Sequence, residues 1–306
     1  MQTTLEEEGQ QAYLSYCAGC HGLNGDGNGE AARFLAPRPR NFQASNFKFS
    51  STRSGQLPTD EDLKRSIVQG LKGSAMPGWD LLPARTIDAL IAYLKTFSPK
   101  WESRKSAPRI PTLDDPYRTS TDRSPAILRG EAVYHGFATC WTCHPAYVST
   151  ERINEYLVLM ENPPRDVFRD RLFESEGKPN TEGEVIYPPD FRRDFVRSGG
   201  NVEDLYRSIG AGITGTAMPT WIDSMDYPSG KPGHGALVES HDVWAMAYYV
   251  QNLILNRPAK LTPEQVAVRL RPQKVYPPGV LPAPTPLEPA VPAGTEFTEE
   301  EEFVDD

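Results

Sequence analysis

The sequence contains no run of eighteen or more apolar residues, so none of it reads as a membrane-crossing helix. It opens on no basic and apolar leader of the kind that directs export. No basic surplus exists either. The formal charge is −9, and residues 275 to 306 supply eight of those nine net negative charges, from Glu288, Glu296, Glu299, Glu300, Glu301, Glu302, Asp305 and Asp306. The rest of the chain is nearly neutral, which argues against nucleic acid or an anionic membrane as partner. Cysteine is scarce as well, with four in 306 residues. That length suffices for two modest domains and a tail.

All four cysteines fall into two short stretches, Cys17-Ala18-Gly19-Cys20-His21 and Cys140-Trp141-Thr142-Cys143-His144. Two thiols two residues apart can form thioether bonds to the two vinyl groups of one porphyrin, and the next histidine is then placed as an axial ligand to iron. A Cys2His2 zinc site would space its histidines from each other and from the cysteine pair. A thioredoxin-like motif would sit in an alternating strand and helix pattern, and none surrounds either copy. Disulfides would leave both histidines unexplained. The stretches therefore predict two haem c groups, attached through Cys17 and Cys20 and through Cys140 and Cys143, with His21 and His144 on the irons. Covalent haem attachment implies assembly outside the cytoplasm, so an export leader or an anchor is expected to have preceded Met1.

Taken in order, residues 5 to 16 predict an amphipathic helix that delivers Cys17. The run Gly22-Leu23-Asn24-Gly25-Asp26-Gly27-Asn28-Gly29 predicts a loop, with too few carboxylates at Asp26 and Glu30 for calcium. Residues 36 to 58 are loop-like, with Phe42, Phe47 and Phe49 available to line a haem edge. Thr59 with Asp62 marks a capped helix start, Gly70 its end, and Pro83 to Phe97 a further helix. Residues 98 to 125, with five prolines, form an extended linker packed at intervals.

The second half repeats this order. Glu203 to Trp221 align with Glu61 to Trp79 without a gap at an offset of 142, including Asp62 with Asp204, Arg65 with Arg207, Gly70 with Gly212, Met76 with Met218 and Trp79 with Trp221. One haem unit is therefore duplicated. The second copy is enlarged near residues 145 to 189, with a helix at 151 to 160, and between Trp221 and a last helix at 243 to 255. Residues 258 to 292 hold ten prolines ahead of the acidic end, a composition that cannot fold alone; this tail is expected to be a docking arm for a partner subunit.

An electron carrier needs a sixth iron ligand that excludes small molecules, and methionine sulfur favours the ferrous state. Met76 and Met218 occupy matched Gly-x-Ala-Met-Pro-x-Trp frames and are the expected ligands. Met225, His234 and His241 compete at the second haem without counterparts in the first copy; His241 is better placed to start the last helix, and His135 to pack in its own.

The order helix, C-x-x-C-H, loop, helix, Ala-Met-Pro, helix resembles class I cytochrome c, and the chain resembles a tandem dihaem cytochrome c. The resemblance implies an all-α fold of two tandem domains, at 1 to 98 and 126 to 257, with loop-rich insertions and an extended tail from 258. It implies a first helix crossing a last one through Gly9 and Tyr13 with Tyr93, and through Gly130 and Tyr134 with Tyr248. A proline carbonyl, from Pro37 or Pro39 and from Pro188 or Pro189, would hold the second ring nitrogen of each histidine. Trp79 and Trp221 would either donate to a haem propionate or pack in the core. Ten residues separate Gly130 from Cys140 but eight separate Gly9 from Cys17, a departure from a simple repeat. The function implied is extracytoplasmic electron transfer with redox proteins as partners, within a respiratory or dehydrogenase complex, with membrane contact only through a partner or an anchor. The alternative is a dihaem peroxidase, which would need one displaceable distal ligand.

Overall fold

The computed structural model describes residues 4–104, 106–233 and 235–258. His234 and the tail from 259 onward lie outside the described residues.

Helix α1 (Leu5–Tyr16) begins in a capping box: Thr4 Oγ1 accepts from the Glu7 N–H while Glu7 accepts from the Thr4 N–H. A single turn, α2 (Ala18–His21), carries the first cysteine pair. Helix α3 (Asp60–Gln69) repeats the capping box with Thr59 and Asp62 and stops at Gly70, whose φ of 64° suits glycine. Helix α4 (Ala84–Thr96) then crosses α1 and buries Ile87, Leu90, Ile91 and Leu94. A short turn, α5 (Lys100–Ser103), interrupts the expected linker.

The linker is more embedded than its composition suggests. Ile110 is buried in the core of the second half, while its N–H donates to the Ser51 carbonyl of the first over 2.7 Å. The Trp244 indole N–H reaches the Leu113 carbonyl over 3.0 Å, and the Tyr248 hydroxyl reaches Asp115 over 2.6 Å. These bonds tie an otherwise polar, proline-rich strip to the second core.

In the second half, α6 (Ser124–Ala132) runs into a π-turn over Val133–Phe137, closed by Ala138 N–H to Val133 carbonyl at 2.8 Å. Thr139 follows in the left-handed region with φ 44°. The π-turn and Thr139 take up the two residues by which this copy exceeds the first, so Cys140 is still delivered at the end of the helix. Helices α7 (Thr150–Leu159), α8 (Val202–Ala211) and α9 (Asp242–Leu255) complete the half, with α9 crossing both α6 and α8. Two small antiparallel pairs, β1 (Lys178–Pro179) with β2 (Val185–Ile186) and β3 (Tyr227–Pro228) with β4 (Ala236–Val238), lie in the insertions. Among the described residues the fold is thus helix-rich with two small sheets, where an all-α fold was expected: an insertion that folds back on itself pairs its own backbone polar groups.

Each half has its own apolar cluster. Gly9 and Gly130 mark equivalent helix crossings, since a Cβ on either would lie 2.0 Å from the carbonyl oxygen of Ala89 or Ala245. Tyr13 meets Tyr93 at 5.4 Å between ring centroids, and Tyr134 meets Tyr249 at 5.5 Å. The expected partner, Tyr248, is not at this crossing. One residue along a helix is a turn of about 100°, which points Tyr248 at the linker instead.

The halves are joined by polar contacts. Arg53 grips Asp223 through two guanidinium nitrogens, and Arg40 pairs with Glu182 at 2.6 Å. The Ser54 N–H donates to the Ala211 carbonyl over 2.9 Å.

Candidate functional site

Each cysteine pair sits where the first helix of its half ends. The four thiols are unpaired, and burial pushes Cys17 up to about 11 and Cys140 up to about 12, so both are protonated. Neither pair has closed into a disulfide.

The histidines are oriented alike. His21 Nδ1–H donates to the Arg40 carbonyl over 3.0 Å and His144 Nδ1–H to the Pro189 carbonyl over 3.0 Å. A carbonyl can only accept, so Nδ1 carries the proton and Nε2 is left with its lone pair. Burial lowers both pKa values, that of His144 to about 4, which keeps each ring neutral. Phe42 stacks on His21 at 4.5 Å and Phe191 on His144 at 4.8 Å. Behind them, the Tyr13 hydroxyl donates to the Gly22 carbonyl and the Tyr134 hydroxyl to the Pro145 carbonyl, in each case the residue after the histidine.

Of the proline carbonyls, Pro189 holds His144 as expected, but Pro37 and Pro39 do not hold His21. Arg40 does. Every residue offers a carbonyl, so residue type alone does not single one out; the legible signal is position, since each acceptor lies two residues before the stacked phenylalanine. Phe191 and Tyr249 are two aromatic residues to which the sequence pattern assigned no role.

The methionine loops match bond for bond. Ser74 Oγ donates to the Leu71 carbonyl and accepts from Met76 N–H, and Leu71 N–H returns to the Met76 carbonyl at 3.1 Å. Thr216, Ile213 and Met218 repeat this, the last bond at 3.2 Å. In the second half Tyr134, Cys140, His144, Phe191, Met218 and Trp221 line one apolar cavity, so the methionine and the histidine expected to share an iron do face a common space. Met218 also packs on the core cluster; Met76 is half-buried and does not. Among the described residues the indole N–H groups of Trp79 and Trp221 have no protein acceptor, and Trp79 lies against Tyr16 at 5.3 Å. Trp101, whose indole N–H is buried without a partner, received no role from the sequence.

Those competing ligands that are described lie elsewhere. Met225 is buried outside the cavity, His241 is exposed at the start of α9, and His135 is spent in the core: its Nδ1–H donates to the Glu131 carbonyl and its Nε2 faces the Tyr147 N–H. Asp26 is engaged with Asn28, and no cluster of metal-binding carboxylates, histidines and cysteines occurs among the described residues.

Paired free thiols, a neutral histidine with Nε2 available and an apolar space bearing a thioether fit haem c. Residues 4–94 form a cytochrome c family domain. The family whose description they match is cytochrome c oxidase, cbb3-type, subunit III. A chain of the Kuenenia stuttgartiensis reducing HAO-like protein complex is similar over 83% of this chain and 100% of its own length, at 28% sequence identity and a TM-score of 0.62. The comparison with curated proteins found no match. Cytochrome c and haem-based electron transport are what these likenesses support.

Proposed function

We propose that the chain is a dihaem electron-transfer protein, with one haem c in residues 1–98 and one in residues 126–257, each iron held by histidine and methionine. His21 and Met76 would bind the first iron and His144 and Met218 the second. The observation that carries this reading is the duplicated bonding around both sites: the carbonyl on Nδ1, the phenylalanine on the ring and the closed methionine loop. Haem supplies the one-electron chemistry when bound. The protein's own part is to fix the ligands so that little reorganises when the charge changes, and to exclude water and small molecules.

The neighbour from a reducing HAO-like complex supports a place in a multi-subunit assembly. The chemistry of haem attachment supports a location outside the cytoplasm; no helix among the described residues is long and apolar enough to cross a membrane.

Mass spectrometry and haem spectra of the holoprotein test the reading. Two haems per chain are expected, falling to one when Cys140 and Cys143 are both replaced by serine, with a methionine-to-iron absorption at the red end of the spectrum. Rapid carbon monoxide binding at one reduced haem of the unaltered protein would overturn the carrier in favour of a peroxidase-type enzyme.

A further inference from the structure

The carbonyls of the two attachment turns are capped by different chemistry. In the first half the glycine-rich loop folds back, so that Gly29 N–H donates to the Cys20 carbonyl over 3.2 Å and Gly27 N–H to the His21 carbonyl over 2.8 Å. In the second half Glu176 N–H does the same for Cys143 over 2.8 Å. The donor to the His144 carbonyl, however, is the Arg169 guanidinium, with Nη2 at 2.9 Å. Where one histidine has a neutral amide, its counterpart has a cation.

Arg169 is held there chiefly by carbonyls. Its Nε donates to Trp141 over 2.9 Å, its Nη2 also reaches Leu172 at 3.1 Å and Glu174, and its Nη1 reaches Arg171. Its carboxylate partner, Glu176, stands 3.6 Å away with a side chain 43% exposed, while the Arg169 side chain is 18% exposed. Two other charges beside the histidines are paired. Arg40 pairs with Glu182 at 2.6 Å beside His21, and Asp190 pairs with Arg193 at 2.6 Å beside His144. A cavity of about 290 Å³ against Trp141 and Thr142 adds Arg165 and Lys178 to Arg169, with Glu176 as the facing carboxylate. The charges that line this cavity are therefore net positive, three cations to one carboxylate.

A fixed cation near an iron centre stabilises the reduced form, which carries one positive charge fewer, and the effect grows where water is excluded. We propose that Arg169 is a positioning residue that makes the second haem the higher-potential centre, so that electrons entering at the His21 half come to rest at the His144 half. This rests on the two-haem reading above.

Potentiometric titration of the holoprotein tests it, with Met76→His lowering and thereby labelling the first haem's wave. In the unaltered protein the unlabelled wave should be the higher one. Arg169→Gln should lower that wave until the equilibrium constant for electron exchange between the haems falls about tenfold, or about 59 mV for a one-electron couple, and leave the labelled wave in place. Arg169→Lys should retain most of the potential. Should Arg169→Gln fail to take up haem, Glu176→Gln provides the opposite arm, because removing the exposed carboxylate should raise the same wave. With two haems per chain confirmed by mass, an unlabelled wave that is the lower one, or one that neither substitution moves, would overturn the proposal while leaving the two-haem reading intact. A single haem per chain would remove the reading itself.

Discussion

The Nδ1–H of His144 donates to the carbonyl of Pro189 over 3.0 Å, and the ring lies flat against Phe191, two residues further along. His21 stands in the same relation to Arg40 and Phe42. One segment thus sets tautomer and ring orientation together, leaving Nε2 with its lone pair available in both halves.

Replacing the methionines should separate the two centres. Met76→His is expected to lower the reduction potential of the first haem alone and Met218→His that of the second alone, since imidazole favours the ferric state more than a thioether does. Met76→Ala should instead admit carbon monoxide to the first reduced iron. Titrations in which either substitution left both waves unmoved would remove the ligand assignment.

The helix crossings have no room for a side chain. Gly9→Ala and Gly130→Ala would each put a methyl group 2.0 Å from a backbone oxygen, which only a shift of α1 against α4, or of α6 against α9, can relieve. A loss of about 3 kcal/mol is expected for each, read as a lower denaturation midpoint with haem still attached. An unchanged midpoint would mean that the crossing is looser than the structure has it.

Acid should weaken the second half through His135. Burial depresses its pKa to about 4 by desolvating the charged ring, and a second proton would set an imidazole N–H against the Tyr147 N–H. The unfolded chain takes up that proton near pH 6.5, so the contribution is complete above about 6.5, declines as pH falls, and is exhausted near 4. The span corresponds to at most about 3 kcal/mol. His135→Gln should flatten the pH dependence of denaturation over that interval, whatever it does to the midpoint at neutral pH.

At the seam between halves, Arg53 and Asp223 are each nearly half exposed. Breaking this pair by Arg53→Glu should cost no more than about 1 kcal/mol, and the double exchange with Asp223→Arg should restore most of it. Denaturation midpoints of the single and double variants measure the coupling. Loss of several kcal/mol from the single variant would show that the seam, rather than the two cores, dominates the stability of the assembly.

The sequence by itself determined what is local and periodic. C-x-x-C-H places thiols and histidine through bonds along the chain, a helix start follows from Thr59 with Asp62, and an offset of 142 pairs Met76 with Met218 wherever the halves lie in space. Tertiary structure decided what any residue could have supplied. Backbone carbonyls are common to all residues, so whether Arg40 or a neighbouring proline faces His21 depended on how residues 36–58 fold across the site. The choice of Tyr249 over Tyr248 turned on about 100° of helix rotation, which a short apolar stretch does not encode. The role of Arg169 was hidden for the same reason. Its partners are carbonyls on both sides of a loop, and only the folded insertion brings them within reach of one guanidinium.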